Sequence, residues 1–158
     1  MEQKQKNFKE CLAFGEEGEH EAAEFLLTKG VNVLPLYQFQ NDHAPFILSM
    51  ESKVVSPDLI CFKEDCFMVE VKTKNQWVVY KGTRETGIDQ RLFNHYNTIR
   101  NFTGKKVFVM FNHKKNEPLG FYIVELMNYT RVWDGKANGK KVHPEMVFYN
   151  IQVLNKLT

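Results

Sequence analysis

Ser56-Pro57-Asp58 is followed, twelve residues after the aspartate, by Glu70-Val71-Lys72, and the interval between has the make-up of a β-hairpin. Leu59-Ile60-Cys61-Phe62 and Cys66-Phe67-Met68-Val69 are short apolar runs separated by the polar Lys63-Glu64-Asp65, the pattern of two strands joined by a tight turn. A turn centred on Glu64 sets Phe62 opposite Cys66, Ile60 opposite Met68 and Asp58 opposite Glu70. Carboxylates facing each other across a strand pair sit about 5 Å apart at Cβ and repel strongly unless a cation lies between them. A Mg²⁺ ion would turn that repulsion into coordination. The two-residue period of a strand puts Lys72 on the face of Glu70 and sends Val69 and Val71 the other way, into the core. The alternative is a surface hairpin with an ordinary Lys72 salt bridge. Apolar flanks on both faces instead describe a buried central strand, where ionised groups need partners.

A third acid has to come from another element. Asn7 to Lys29 carries helical periodicity and stops at Gly30, a natural C-terminal cap. Its inward stripe reads Phe8, Leu12, Gly15, Glu19, Ala22, Ala23 and Leu26. Glu19 interrupts that stripe with a carboxylate, which facing a core calls for a cation. The small residues Gly15, Gly18 and Ala22 would let the helix backbone press against a sheet. Glu19 is therefore the candidate third acid, the competing reading being that it leans out to solvent beside Glu16 and Glu17.

The rest of the chain supplies the frame. Val31 to Gln40 reads as a strand, followed by an irregular stretch through Asp42, Pro45 and Ser52 that leads into the Asp58 hairpin. After Lys74 a segment with Trp77, Tyr80, Lys81 and Arg84 reads as a loop ending near Gly87. Its mixture suits gripping DNA phosphates and stacking on unpaired bases, and a surface loop with no substrate role fits equally. Ile88 to Phe102 is again helical, with Ile88, Leu92, Tyr96 and Ile99 on one face, and Gly104 ends it. Lys106 to Asn112, Gly120 to Leu126 and Met146 to Leu154 read as strands, with Asp134-Gly135 and Asn138-Gly139 as turns between the last two.

At 158 residues, 43% hydrophobic and 13% aromatic, the chain has enough apolar side chains for one core, so a single domain over 1–158 is expected. No apolar run approaches the roughly 20 residues of a membrane span, and the first residues lack the apolar segment of a secretory signal. A soluble, cytoplasmic protein with no membrane partner is the expectation. Cys11, Cys61 and Cys66 form no metal-ligand spacing with the five histidines, and an odd count suits a reducing compartment. A net charge of +2 does not by itself identify a nucleic-acid binder. Lysines 4, 6 and 9, 105 and 106, 114 and 115, and 136, 140 and 141 are spread at element ends or loops, where each cluster serves as a solvated surface or as a phosphate contact.

The order helix with Glu19, strand, hairpin with Asp58 and Glu70-Val71-Lys72, helix, strand resembles the PD-(D/E)XK nuclease superfamily over about residues 15–111. Gly15-Glu16-Glu17-Gly18-Glu19, followed by Ala22 or Ala23 and Leu26, is similar to the first-helix motif of several branches, archaeal Holliday-junction resolvases among them. Ser56-Pro57-Asp58 and Glu70-Val71-Lys72-Thr73-Lys74 match the central motif. The resemblance implies an α/β fold with an αβββαβ core, a mixed central β-sheet flanked by helices. It implies a DNA endonuclease dependent on Mg²⁺, with Mn²⁺ as a substitute, whose metal ligands are Asp58, Glu70, the Val71 carbonyl and, directly or through water, Glu19. Lys72 would orient the attacking water and offset charge on the phosphate, and Lys74 would be a weaker phosphate contact. Gln90 falls near the start of the second helix, where RecU-type resolvases carry an active-site glutamine; a solvent-facing glutamine fits as well. Position 94 is Asn94, not the tyrosine that the RecB-like branch carries four residues after its glutamine, and the nearest tyrosine is Tyr96. The implied substrate is branched or structured DNA, since no separate sequence-reading module is present. Two nicks in opposite strands would require a homodimer. The competing function is a nucleic-acid-binding module on the same fold without turnover.

Overall fold

The computed structural model describes residues 2–36, 45–49 and 53–158, with side chains from residue 13 onward. Helix α1 (Glu2–Thr28) closes on Gly30 at φ 71°. The Val31 N–H donates to the Leu26 carbonyl and the Gly30 N–H to the Leu27 carbonyl, the paired bonds of a Schellman cap. The chain continues through β1 (Asn32–Pro35), β2 (Phe46–Leu48), β3 (Lys53–Val55), β4 (Leu59–Phe62), β5 (Cys66–Lys74), β6 (Val78–Tyr80) and β7 (Thr83–Asp89) into helix α2 (Gln90–Thr103). It ends with β8 (Val107–His113), β9 (Gly120–Glu125), β10 (Arg131–Trp133), β11 (Lys136–Ala137), β12 (Lys140–Lys141), β13 (Met146–Asn150) and β14 (Asn155–Lys156).

The central sheet has the order β1-β4-β5-β8-β9-β14, in which only β5 and β8 run parallel. That parallel pair needs a crossover, and β6, β7 and α2 provide it. Stripped of its insertions, the order α1, β1, β4, β5, α2, β8 is the expected αβββαβ core, an α/β fold with a mixed central sheet. On one face α1 lays Ala22, Ala23 and Leu26 against Leu59, Val69, Val71 and Met110. On the other, α2 and a second, antiparallel sheet of order β10-β13-β7-β6 bury Tyr96, Ile99, Val147 and Tyr149 against Met68, Val109 and Phe111. Strand β5 is thus covered on both faces.

The β4–β5 register is the one that a turn centred on Glu64 dictates: Phe62 faces Cys66, Ile60 faces Met68 and Leu59 faces Val69. Gly18 explains how α1 comes so close to β5, because a Cβ there would lie 1.7 Å from Thr73 Oγ1. Gly15 has open space instead. The Phe8 and Leu12 side chains, and the continuation of the first strand to Gln40 with Asp42 and Ser52, lie outside the described residues.

Four sequence expectations need correction. Part of the stretch expected to be irregular forms the β2–β3 hairpin. The segment carrying Tyr80, Lys81 and Arg84 is the β6–β7 hairpin rather than a loop, turning on Lys81 (φ 48°) and Gly82 (φ 79°); two positive φ values in succession suit the right-handed twist of a two-residue hairpin. Ile88 belongs to β7, because Asp89 caps α2 by accepting the Arg91 N–H at 2.7 Å. The last strand stops at Asn150, whose side chain accepts from the Gln152 and Val153 amides and turns the chain toward β14. Gly104 ends α2 in the left-handed conformation as expected, and Asn138-Gly139 turns β11 into β12. Among the described residues no helix is long and apolar enough to cross a membrane.

Candidate active site

Strand β5 carries Glu70 and Lys72 on the face of Met68, under α2, while Val69 and Val71 pack against α1. Glu70 is 1% exposed, and Lys72 Nζ lies 2.5 Å from its Oε1. The other oxygen, Oε2, is buried without a hydrogen-bond partner among the described residues.

Asp58 enters as the residue just before β4. Its carbonyl accepts the Leu36 N–H at 2.8 Å; Ser56, two residues earlier, is pinned to the Pro45 carbonyl through both its N–H and its hydroxyl. The Asp58 side chain then takes the place of a strand: Oδ2 accepts the Val71 N–H at 2.7 Å. A strand residue presents its N–H and C=O to the same edge, so the Val71 carbonyl also faces the Asp58 side.

Glu19 approaches from α1. The helix is tied down next to it by Glu21, which accepts from Asn112 Nδ2 at 2.7 Å and from Lys114 Nζ at 2.9 Å. Glu19 is half-buried and its Oε2 is enclosed with no partner among the described residues, which rejects the reading that it leans out to solvent. Burial, opposed by Lys72 and reinforced by Glu70 and Glu16, holds its carboxyl up at about 7. Burial and then Glu70 also push Asp58 well above the usual aspartate range, against the pull of Lys72 and the Val71 amide. Lys72 is raised as well: burial alone would lower it, but Glu70, Asp58 and Glu19 outweigh burial and keep the ammonium protonated. The three acids therefore share one field with one half-buried cation.

Tyr96 is a site residue that pattern reading placed only in the core. The residue is 1% exposed and its hydroxyl lies in the field of the acids: burial, then Glu70 and Asp58, raise it far above an ordinary tyrosine. A tyrosine on the α2 face that covers β5 was the available signal. Lys74, half-buried at the end of β5, has no carboxylate partner among the described residues, and burial followed by Lys72 lowers it to about 8.

The remaining candidates sit elsewhere. Gln90 opens α2, donates its N–H to the Glu145 carbonyl at 2.9 Å and lines a separate pocket with Asn94, His95 and Lys141. Trp77 is packed rather than presented: its ring stacks on His113 at 3.7 Å and 2°, and its Nε1 donates to the Pro118 carbonyl at 3.3 Å. Tyr80 is exposed but lies under the Arg131 guanidinium at 4.2 Å. Lys81 and Arg84 are exposed on the β6–β7 hairpin.

The donor set fits a hard divalent cation. Carboxylate and carbonyl oxygens are its preferred ligands, and buried carboxylate oxygens without partners are the groups it would satisfy. No three His, Cys, Asp or Glu side chains among the described residues are gathered closely enough to hold a metal as they stand. The geometry accounts for this, since the Lys72 ammonium sits against Glu70 and supplies the positive charge itself.

No protein-family model matches the chain, and no curated protein matches it. Among solved structures it is similar to Hjc, a Holliday junction resolvase from the archaeal hyperthermophile Archaeoglobus fulgidus. The TM-score is 0.56 at 12% identity, over 88% of this chain and 90% of that one. An identity so low speaks for the fold, the mixed sheet between helices.

Proposed function

We propose that the chain is a divalent-metal-dependent DNA endonuclease of the PD-(D/E)XK type, acting on branched or structured DNA. The observation that carries the proposal is the placing of Asp58, Glu70 and Lys72 at one point of β5, with Glu19 reaching the same field from α1. Likeness in fold to a resolvase supports the branched substrate.

Asp58, Glu70 and the Val71 carbonyl would hold Mg²⁺ or Mn²⁺, with Glu19 joining directly or through water. The ion would supply charge compensation at the phosphoryl oxygens and a water in line with the scissile bond. Lys72, kept protonated by its acids, orients that water and offsets the negative charge that grows on the phosphate; a cation so stabilised is a poor general base. Tyr96, buried on α2, keeps water from the acids on that side. Lys74, free of any carboxylate among the described residues, is placed to meet a neighbouring phosphate. Cutting opposite strands would take two copies of the chain, so the working form is proposed to be a homodimer.

A cleavage panel tests the reading: linear duplex, single strand, flap and four-way junction, each with Mg²⁺, Mn²⁺ or EDTA, against Asp58→Asn. Metal-dependent nicking near a branch, absent from Asp58→Asn, is the expected result. Tight binding with no product under any metal would instead mark a binding module.

A further inference from the structure

Beyond Lys72, strand β5 runs into a cavity of about 1010 Å³ between its own end and the β10-β13-β7-β6 sheet. That is at the upper end of small-ligand sites, roughly 300–1,000 Å³. The walls combine three kinds of group. Trp133 is the open aromatic wall, braced by the His143 ring at 5.8 Å and 28°, while Phe148 is buried behind the Arg131 guanidinium. Lys74 brings an ammonium with no carboxylate partner among the described residues. Thr86 is 2% exposed, and its Oγ1 has no hydrogen-bond partner among those residues, although a hydroxyl can donate one bond and accept two.

A flat aromatic wall, an unused hydroxyl and an unpaired cation form the recognition set for a heteroaromatic ring carrying polar edge groups beside a phosphate. Arg131 keeps the pocket in shape: its guanidinium is held by the buried Glu85 carboxylate, with Nε at 3.1 Å from Oε2, and lies 4.2 Å from the Tyr80 ring and 4.3 Å from the Phe148 ring. Position selects the source of the ring. Lys74 follows Lys72 by two residues, about 7 Å at the roughly 3.3 Å rise of a strand, or about two steps of a DNA strand at 3.4 Å each. We propose that this cavity receives one unpaired nucleobase, one or two nucleotides from the phosphate that a metal ion at Asp58 and Glu70 would hold. The proposal rests on the nuclease reading and deepens it: the enzyme selects DNA with a base free to leave the stack. A fully paired duplex offers no such base unless it is first unstacked.

The test uses 2-aminopurine, whose emission is quenched by stacking, placed one or two nucleotides from the branch of a four-way junction and, separately, inside a continuous duplex. Titrations run in EDTA, so that no strand is cut. Native protein should change the emission of the junction probe alone. Trp133→Ala should weaken junction binding about five- to hundredfold, leaving duplex binding unchanged. Thr86→Val, equal in size and lacking only the hydroxyl, should weaken junction binding roughly two- to tenfold and covers the case in which Trp133→Ala fails to fold. No probe response, or Thr86→Val binding the junction as tightly as native protein, would overturn the assignment. So would saturable binding of a free deoxynucleoside monophosphate with no response from the strand. A probe response without cleavage in the metal panel would reject the nuclease and keep the pocket; cleavage without a probe response would do the reverse.

Discussion

Asp58 and Val71 are joined by a 2.7 Å hydrogen bond from backbone N–H to carboxylate, and it takes over where the β4–β5 ladder stops at Leu59 and Val69. One side chain thus closes the sheet edge and faces the proposed metal. The two roles separate by substitution. Asp58→Asn retains an oxygen for the Val71 amide, so the fold should persist while metal-dependent cleavage disappears. Asp58→Ala strands that amide and should also destabilise by about 1–3 kcal/mol. Urea melts beside single-turnover cleavage measure both; equal stability of the two variants would show that the bond contributes nothing.

Lys72 is ion-paired to a buried Glu70, so its removal has two consequences. Lys72→Ala should slow single-turnover cleavage by about 10²–10³-fold, the usual loss for one group that stabilises developing charge, with much less change in DNA affinity. It should also destabilise the protein, because it leaves the buried Glu70 carboxylate without its cation. Full cleavage activity in Lys72→Ala would remove it from the mechanism.

Glu19 makes stability depend on pH in an unusual direction. Its carboxyl is held up at about 7 against a reference of 4.5, so between those values the folded state binds more protons than the unfolded one. Stability must then fall as pH rises through that window, by at most about 1.4 kcal/mol per pH unit. Asp58, also raised by burial, acts in the same sense. His113 opposes them: burial and Lys74 lower it to about 4 from 6.5, the unfolded chain takes up the proton first, and stability there rises with pH. Comparison with Glu19→Gln isolates the acid. The variant should match native protein at pH 4.5 and exceed it at pH 7.5 in EDTA, and added Mg²⁺ should reduce that advantage. Melting curves with a constant offset across pH would show that Glu19 does not titrate in this range.

The hairpin was legible because its signal is local: two apolar runs around Lys63-Glu64-Asp65 fix the register, and with it the face of Glu70 and Lys72. The cap at Gly30, the Glu19 stripe and the end of α2 at Gly104 are equally local. Less legible were contacts made across long separations. Tyr96 comes into the field of Glu70 only because α2 crosses that face of β5, and periodicity reports the crossing but not the partner. The β6–β7 hairpin carried a short-range sign, Lys81-Gly82 between the strand-forming Tyr80 and Thr83, yet its basic and aromatic content reads as a loop. Its pairing with β13, some sixty residues on, has no local trace.

The same hairpin separates packing from binding. Trp77 reads from the sequence as a stacking surface for bases, whereas its ring is laid on His113 at 3.7 Å and edged by Tyr122 at 5.3 Å. Lys81 and Arg84, by contrast, project into solvent from the strands and turn beside it. Trp77→Ala should therefore cost about 3–5 kcal/mol, as for other large aromatic truncations in a core, while the folded fraction binds DNA with unchanged affinity. Trp77→Phe should recover part of the stability, since it keeps a ring against His113. Lys81→Ala and Arg84→Ala should leave the melting temperature in place and weaken binding of every DNA in parallel. Each should also flatten the plot of log K against log salt by about 0.7–0.9, the release expected for one phosphate contact. The measurements are thermal melts and titrations at three salt concentrations for the four variants. A binding defect in folded Trp77→Ala would return that ring to the DNA surface, and unchanged salt slopes in both cation variants would take the hairpin out of it.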